Sequence, residues 1–180
     1  MKKLIPLFLA GMMALSLCAC GGTDTAPAEN TDGEATEEQT EATEAAESTV
    51  YGIGDTWTVD GQWSFTITGV TPTDDRNEFS DKFPAQVVVI SYEYENLGYE
   101  DPDDLMDGLY MDVENAQIVD SANEMAYSYP GDYTYYPQET PVGAHCTAEG
   151  VIGLDNAGNS IKVYMTQYDS EGNKPKADFV

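Results

Sequence analysis

Gln-Val-Val-Val-Ile-Ser-Tyr-Glu-Tyr-Glu, residues 86–95, is the stretch of the chain that decides its fold. Its centre, Val87 to Ile90, consists of β-branched residues, which favour strands. Beyond that run, Tyr92 and Tyr94 alternate with serine and glutamate. Successive side chains of a strand point to opposite faces of the sheet, so this strand has one apolar face and one polar face. We therefore predict a long strand over 86–95 with one face on a core.

A β-hairpin is predicted before that strand. Residues 56–59 and 62–68 are rich in β-branched and aromatic residues, and the second segment alternates Trp, Phe and Ile with Gln, Ser and Thr. Asp60-Gly61 between them suits the positive φ angles of a two-residue hairpin turn. The alternation predicts that one face of the hairpin lies on a core and that the other faces solvent.

The rest of the chain supplies shorter strand signals and no long window of helical periodicity. Five further strands are predicted, at 109–113, 116–119, 125–129, 143–154 and 161–168. About seven short strands separated by turns indicate an all-β protein, an antiparallel, immunoglobulin-like β-sandwich.

Three short motifs support a family resemblance over 51–180. They are Gly-Asp at 54–55, Glu-Asn-Leu-Gly at 95–98 after the long strand, and Pro-x-Gly at 141–143 before the penultimate strand. This order resembles the immunoglobulin-like lipoproteins of Gram-positive bacteria, which are related to the telokin-like immunoprotective-antigen fold. The resemblance implies an exported immunoglobulin-like domain and no catalytic chemistry. The chain departs from the pattern in an acidic insert and a tyrosine-rich segment, where we expect its particular function.

The N-terminus has the features of an export signal. Lysines at 2–3 precede an apolar run at 4–17 of about 14 residues, which is shorter than the ~20 that a membrane-spanning helix needs. Leu-Cys-Ala-Cys at 17–20 resembles the lipobox of bacterial lipoproteins, in which the last cysteine is lipidated. We predict a signal peptide over 1–20 and lipidation of Cys20, which would place the protein on the outer face of the cytoplasmic membrane. An ordinary secretory signal is the alternative.

An acidic segment follows the signal. Residues 21–50 are rich in Thr, Glu and Ala and contain nine acidic residues, no basic residue and no aromatic residue. Such a composition buries too little apolar surface to offset the entropy of ordering, so we predict a disordered tether. A helix over 34–47 is the alternative, which its like-charged pairs oppose.

The charge of the chain limits its partners. The formal net charge is −26, and residues 51–180 hold 24 acidic and five basic residues, a net charge of −19. Nucleic acid is excluded as a partner, because phosphate binding requires clustered Lys and Arg. An anionic membrane surface would also repel the domain, so attachment to the membrane is expected to depend on the lipid.

Catalytic motifs are missing from the sequence, and we expect the protein not to be an enzyme. His145 and Cys146 are adjacent, so on a strand their side chains point to opposite faces and cannot act as a base and nucleophile. Cys146 is predicted to be a core residue and His145 to face solvent. A hydrolase that uses paired carboxylates is the alternative, since the domain has many acidic residues.

An acidic loop is the first candidate binding site. Crowded carboxylates in a loop are typical of calcium sites, although the spacing here is not that of an EF-hand. The hypothesis assigns a possible calcium ion to Asp101, Asp103, Asp104 and Asp107. The alternative is a solvated acidic loop that prevents edge-to-edge association of sheets.

A tyrosine-rich segment is the second candidate. Tyrosine offers rigid contact area and a hydroxyl group, which recognition surfaces use. The predicted binding surface consists of Tyr127, Tyr129, Tyr133, Tyr135 and Tyr136. In the alternative, these rings alternate along a strand, and Tyr133 and Tyr135 cover the open end of the sandwich.

Together these features predict a non-catalytic, lipid-anchored, extracellular immunoglobulin-like module that binds a protein or another envelope component. Loops at the ends of such a scaffold are where recognition is expected. The alternative function is a surface lipoprotein that binds calcium, a glycan or another small ligand.

Overall fold

The computed structural model describes residues 49–180. The predicted signal peptide, Cys20 and the acidic tether up to residue 48 lie outside the described residues. None of the helices in this part of the chain is long and apolar enough to cross a bilayer. The described residues form nine strands and one 3-10 helix at Val113–Asn115: β1 Val50–Tyr51, β2 Thr56–Val59, β3 Trp63–Thr73, β4 Gln86–Asn96, β5 Gln117–Val119, β6 Tyr127–Ser128, β7 His145–Leu154, β8 Lys162–Thr166 and β9 Lys176–Phe179.

The strands form two sheets, as expected for an all-β sandwich. One sheet has the order β2-β3-β4-β7-β6, and the other has the order β1-β9-β8-β5. All neighbouring strands are antiparallel except β1 and β9, which are parallel. The inner faces of both sheets contribute to one apolar core. The all-β prediction is therefore confirmed.

The alternation of apolar and polar side chains in the long strands determines which residues form the core. Phe65, Ile90 and Tyr92 of the five-stranded sheet are fully buried and pack with Val163 and Phe179 of the four-stranded sheet. The polar residues between them point away from the core. The face of 86–95 that was predicted to lie on the core is therefore the face that is buried in the structure.

The hairpin is longer than predicted, and its turn differs by one residue. Val59 pairs with Trp63, so the loop has three residues and Gln62 belongs to it. Gly61 has a φ of 69°, a left-handed conformation that glycine accepts easily. The second strand continues to Thr73. It contains a bulge at Thr68, an extra residue that shifts the pairing with β4 by one position after Ile67.

Other strand predictions were wrong in part. Residues 109–113 form an isolated bridge, Leu109 to Thr140, followed by the 3-10 helix. In the segment at 125–129, only the two residues of β6 form a strand. Strands β1 and β9 were not predicted, and Val50 pairs with Asp178, so the domain begins before the predicted end of the tether.

Asn96 closes one end of the sandwich. Its side chain is fully buried, and its Nδ2 donates to the carbonyl oxygens of Tyr99 (3.0 Å) and Thr140 (2.9 Å). Its Oδ1 accepts from the backbone N–H groups of Gly98 (3.0 Å) and Tyr99 (2.7 Å). One amide group thereby joins the end of β4 to the loop that follows it and to the loop around Thr140, which is 44 residues away in sequence.

Two buried aspartates stabilise turns. Buried Asp120 accepts hydrogen bonds from Ala122, Glu124 and Asn156, and buried Asp169 accepts them from Glu171 and Asn173. Burial opposes the charged form of both carboxyls, but these hydrogen bonds outweigh it and lower the pKa of each.

Acid is therefore expected to destabilise the domain. A carboxyl whose pKa is lower in the folded state contributes stability above its unfolded pKa of about 3.9, and loses it as the pH falls through the folded pKa. This applies to Asp101, Asp120 and Asp169. Asp112 acts oppositely, because burial raises its pKa. We expect the midpoint temperature of thermal unfolding to decrease when the pH is lowered beneath about 4. In the double variant Asp120→Asn, Asp169→Asn the decrease should be smaller. A midpoint that did not change down to about pH 2 would contradict this sign.

Candidate functional site

The tyrosine-rich segment runs beside β7 and does not close an end of the sandwich. Tyr127 pairs with Gly153, and the N–H of Tyr129 donates to the carbonyl of Val151 (2.8 Å). Further along, the N–H of Glu149 donates to the carbonyl of Tyr135 (3.0 Å). The segment therefore follows the free edge of β7, and its rings reach the outer face of the five-stranded sheet.

The five predicted tyrosines have different environments. Tyr129 is only 2% exposed and belongs to a second apolar cluster with Val87 and Val151. Tyr127 and Tyr133 are half-buried and pack against the same cluster. Tyr135 and Tyr136 are 53% and 60% exposed. The prediction of one tyrosine surface thus divides into a buried part and an accessible part, and the alternative position at the open end is wrong.

Glu114 holds the segment in place. Its carboxylate accepts hydrogen bonds from the Val151 N–H (2.9 Å) and from the hydroxyl groups of Ser128 and Tyr133. Burial raises the pKa of Tyr133, and so does the neighbouring Glu114 carboxylate, so the hydroxyl keeps its proton as a donor. One side chain of the 3-10 helix thereby connects the edge of β7 to two points of the tyrosine-rich segment.

A groove of about 720 Å³ lies between this segment and the loop that follows β3. Val87, Val89 and Val151 form its floor on the outer face of the sheet. The backbone N–H of Asn77 donates to the Tyr129 hydroxyl (2.9 Å), which connects the two walls. At Gly131 a Cβ atom would lie 2.8 Å from a methyl group of Val151, so glycine is needed for this close approach.

The rim of the groove is acidic and carries an exposed aromatic ring. The carboxylates of Asp75, Glu78 and Asp132 line it, while the guanidinium of Arg76 donates to the carbonyls of Thr73 and Asp75 (both 2.8 Å). The ring of Phe79 is 87% exposed. Such a rim suits a ligand that has both positive charge and apolar surface.

A second exposed ring belongs to the same loop. Phe83 is 91% exposed, in the loop between β3 and β4. Exposed apolar residues that are grouped mark interaction surfaces, whereas single ones are ordinary. No site was predicted in this loop from the sequence. Two phenylalanines four positions apart in a loop rich in charged residues were the signal that could have identified it.

The acidic loop does not bring the predicted calcium ligands together. The Asp101 carboxylate accepts the N–H groups of Asp103 (3.2 Å), Leu105 (2.9 Å) and Met106 (2.9 Å), and these hydrogen bonds lower its pKa. Asp103, Asp104 and Asp107 are exposed. Between residues 49 and 180, no three His, Cys, Asp or Glu side chains form a group that could hold a metal ion. Geometry therefore gives the calcium hypothesis no support.

His145 and Cys146 occupy the two faces of β7, as predicted. Cys146 is buried in the core, and His145 is exposed on the outer face opposite Glu95. The histidine shares a shallow polar depression of about 200 Å³ with Ser64, Thr66 and Glu93. The two residues therefore cannot form a nucleophile and base pair.

Comparisons with models of known protein families, with curated proteins and with solved structures found no match to this chain.

Proposed function

We propose that the protein is a non-catalytic, lipid-anchored, immunoglobulin-like module on the outer face of the cytoplasmic membrane, and that it binds a basic segment of another protein. The observation that carries the proposal is the groove beside the tyrosine-rich segment, with its valine floor, its three rim carboxylates and exposed Phe79.

The strand order supports an immunoglobulin-like topology. Seven-stranded immunoglobulin domains have the order A-B-E-D in one sheet and C-F-G in the other. If β3 to β9 are taken as A to G, the orders β3-β4-β7-β6 and β5-β8-β9 correspond to that arrangement. The remaining strands, β2 and β1, each extend one sheet at its edge.

The chemistry of the groove favours a basic protein segment. Its floor is apolar, so a partner side chain can gain burial there, and its rim carboxylates complement Lys or Arg. The negative charge of the whole domain would also accelerate the approach of a positively charged partner. Aromatic residues such as Phe79 and the nearby tyrosines are enriched among the residues that dominate interface energies.

A defined peptide tests this function. We expect the full chain to bind a fluorescent peptide of alternating lysine and leucine, and not the same peptide with glutamate in place of lysine. Phe79→Ser and Asp132→Asn should each weaken binding about fivefold, roughly 1 kcal/mol. Asp103→Asn removes one exposed aspartate outside the groove and is the matched control. If it weakened binding as much as Asp132→Asn, net charge alone would explain the binding and the groove would not be the site.

The anchor has its own test. Replacing Cys20 by alanine should release the protein from the membrane fraction, because lipidation of that residue is the proposed attachment and the acidic domain is repelled by anionic lipid. Fractionation of producing cells, followed by immunodetection, measures this. The variant Cys18→Ala is the control and should stay with the membrane. Retention of Cys20→Ala in the membrane fraction would overturn the lipid anchor.

A further inference from the structure

We propose that the sandwich has a second, independent binding site, a cleft between the sheets that takes a small, uncharged and mainly apolar molecule. The cleft has a volume of about 410 Å³. It lies where β3 ends and β4 begins, and it is separate from the groove on the outer face.

The cleft results from unequal strand lengths. Strands β3 and β4 have 11 residues each, whereas β8 has five and β9 has four. The five-stranded sheet therefore extends beyond the other sheet, and its inner face there is lined by Val70, Pro72 and Val88. The far wall consists of Val163 of β8 and Phe179 of β9, together with the loop at 158–161 and Ile53.

The lining selects against charge. None of the 14 residues around the cleft has a charged side chain, although residues 51–180 hold 24 acidic and five basic residues. An anionic ligand would lose hydration without finding a cationic side chain, which is costly. Its volume lies within the range of about 300–1,000 Å³ that is typical of small-molecule sites. At roughly 30 Å³ per non-hydrogen atom, the share of a water molecule in the liquid, it would hold about 14 such atoms.

One side of the cleft is polar and can orient the ligand. Gln86 Oε1 accepts the N–H of Gly158 (2.9 Å), which fixes the amide at the wall. The Nε2 of Gln86 and the side chains of Asn159 and Ser160 make no hydrogen bond to any residue between 49 and 180. These groups can pair with a hydroxyl, amine or amide at one end of an otherwise apolar molecule. The expected ligand is therefore neutral, with a single hydrogen-bonding end.

A neutral fluorescent probe and its charged analogue test the site. We expect the full chain with Cys20→Ala, which has no lipid of its own to compete, to bind 1-aminoanthracene saturably, and anthracene-1-carboxylate at least tenfold more weakly. Ile53→Asp introduces a charge at the exposed rim and should weaken binding of the neutral probe at least tenfold. Ser160→Phe, which fills the cleft from an exposed loop, should also weaken binding of the neutral probe at least tenfold. Val142→Asp is the matched control, since Val142 is 55% exposed, close to 59% for Ile53, and does not line the cleft.

The outcomes separate a site from adventitious dye binding. Loss of binding in Ile53→Asp and Ser160→Phe, with Val142→Asp unchanged and all variants keeping their thermal midpoint within a few degrees, supports the cleft. Absence of saturable binding, equal binding of the carboxylate, or equal weakening by Val142→Asp would overturn it. The peptide assay is independent, because Ile53 and Ser160 lie outside the acidic groove.

Discussion

Replacement of Asn96 by alanine is expected to lower the free energy of unfolding by about 4 kcal/mol, a large effect for one substitution. The change removes four hydrogen bonds of a fully buried amide. It leaves the carbonyl of Thr140 without that donor and the N–H of Gly98 without that acceptor. Buried groups that lose their partners keep their full desolvation cost, which is why the loss exceeds that of exposed hydrogen bonds.

Urea denaturation of the full chain at neutral pH measures this effect. Asn159→Ala is the control, since Asn159 is an exposed loop residue, and its effect should stay within about 0.5 kcal/mol. A loss below about 1 kcal/mol in Asn96→Ala would mean that water replaces the amide and that the two loops are not held by it.

Replacement of Glu114 by alanine is expected to cost about 3 kcal/mol and to release the tyrosine-rich segment from β7. The carboxylate is the shared acceptor of Val151, Ser128 and Tyr133, and each donor would lose its partner at once. With that connection removed, the chain between β6 and β7 should become sensitive to chymotrypsin. Glu114→Gln keeps the side-chain shape and one acceptor oxygen, so its loss should be smaller.

Two measurements check the second prediction. Denaturation gives the loss of stability, and limited proteolysis followed by mass spectrometry locates the first cleavage. Glu124→Ala is the matched control, because Glu124 is an exposed glutamate in a neighbouring loop. If Glu114→Ala lost stability but resisted cleavage at 127–137, Glu114 would stabilise the 3-10 helix and not the segment.

The long strands of the fold were predictable because their pattern is local. Strands β4 and β7 are ten or more residues long, and over much of their length buried side chains alternate with more exposed ones, a pattern that can be read without knowing the partner. The length of β3 was not predictable, since the bulge at Thr68 shifts its register and interrupts the alternation of its side chains. Strand β1 has two residues, and only its pairing with β9 makes it a strand.

The site was predictable in composition but not in geometry. The density of tyrosines identified the segment, yet nothing local distinguishes Tyr129, which is buried, from Tyr135, which is exposed. That difference arises because Tyr129 packs against Val87 and Val151, residues that are distant in sequence. Glu114 was one acid among many, and its role depends on three donors brought together only by folding.

The parallel pairing of β1 with β9 determines how the domain bears mechanical force. Tension applied to residue 49 along the axis of β1 would load its hydrogen bonds to β9 together and not one after another. Because β1 has only two residues, it should yield before the core strands. Release of the four residues from 50 to 53 would add roughly 13 Å of contour length to the free chain, at ~3.3 Å per residue. The hydrogen bond from the Gly54 N–H to the Ile67 carbonyl (2.9 Å) would then bear the force. Because the added chain length lowers the tension, the sandwich would remain folded.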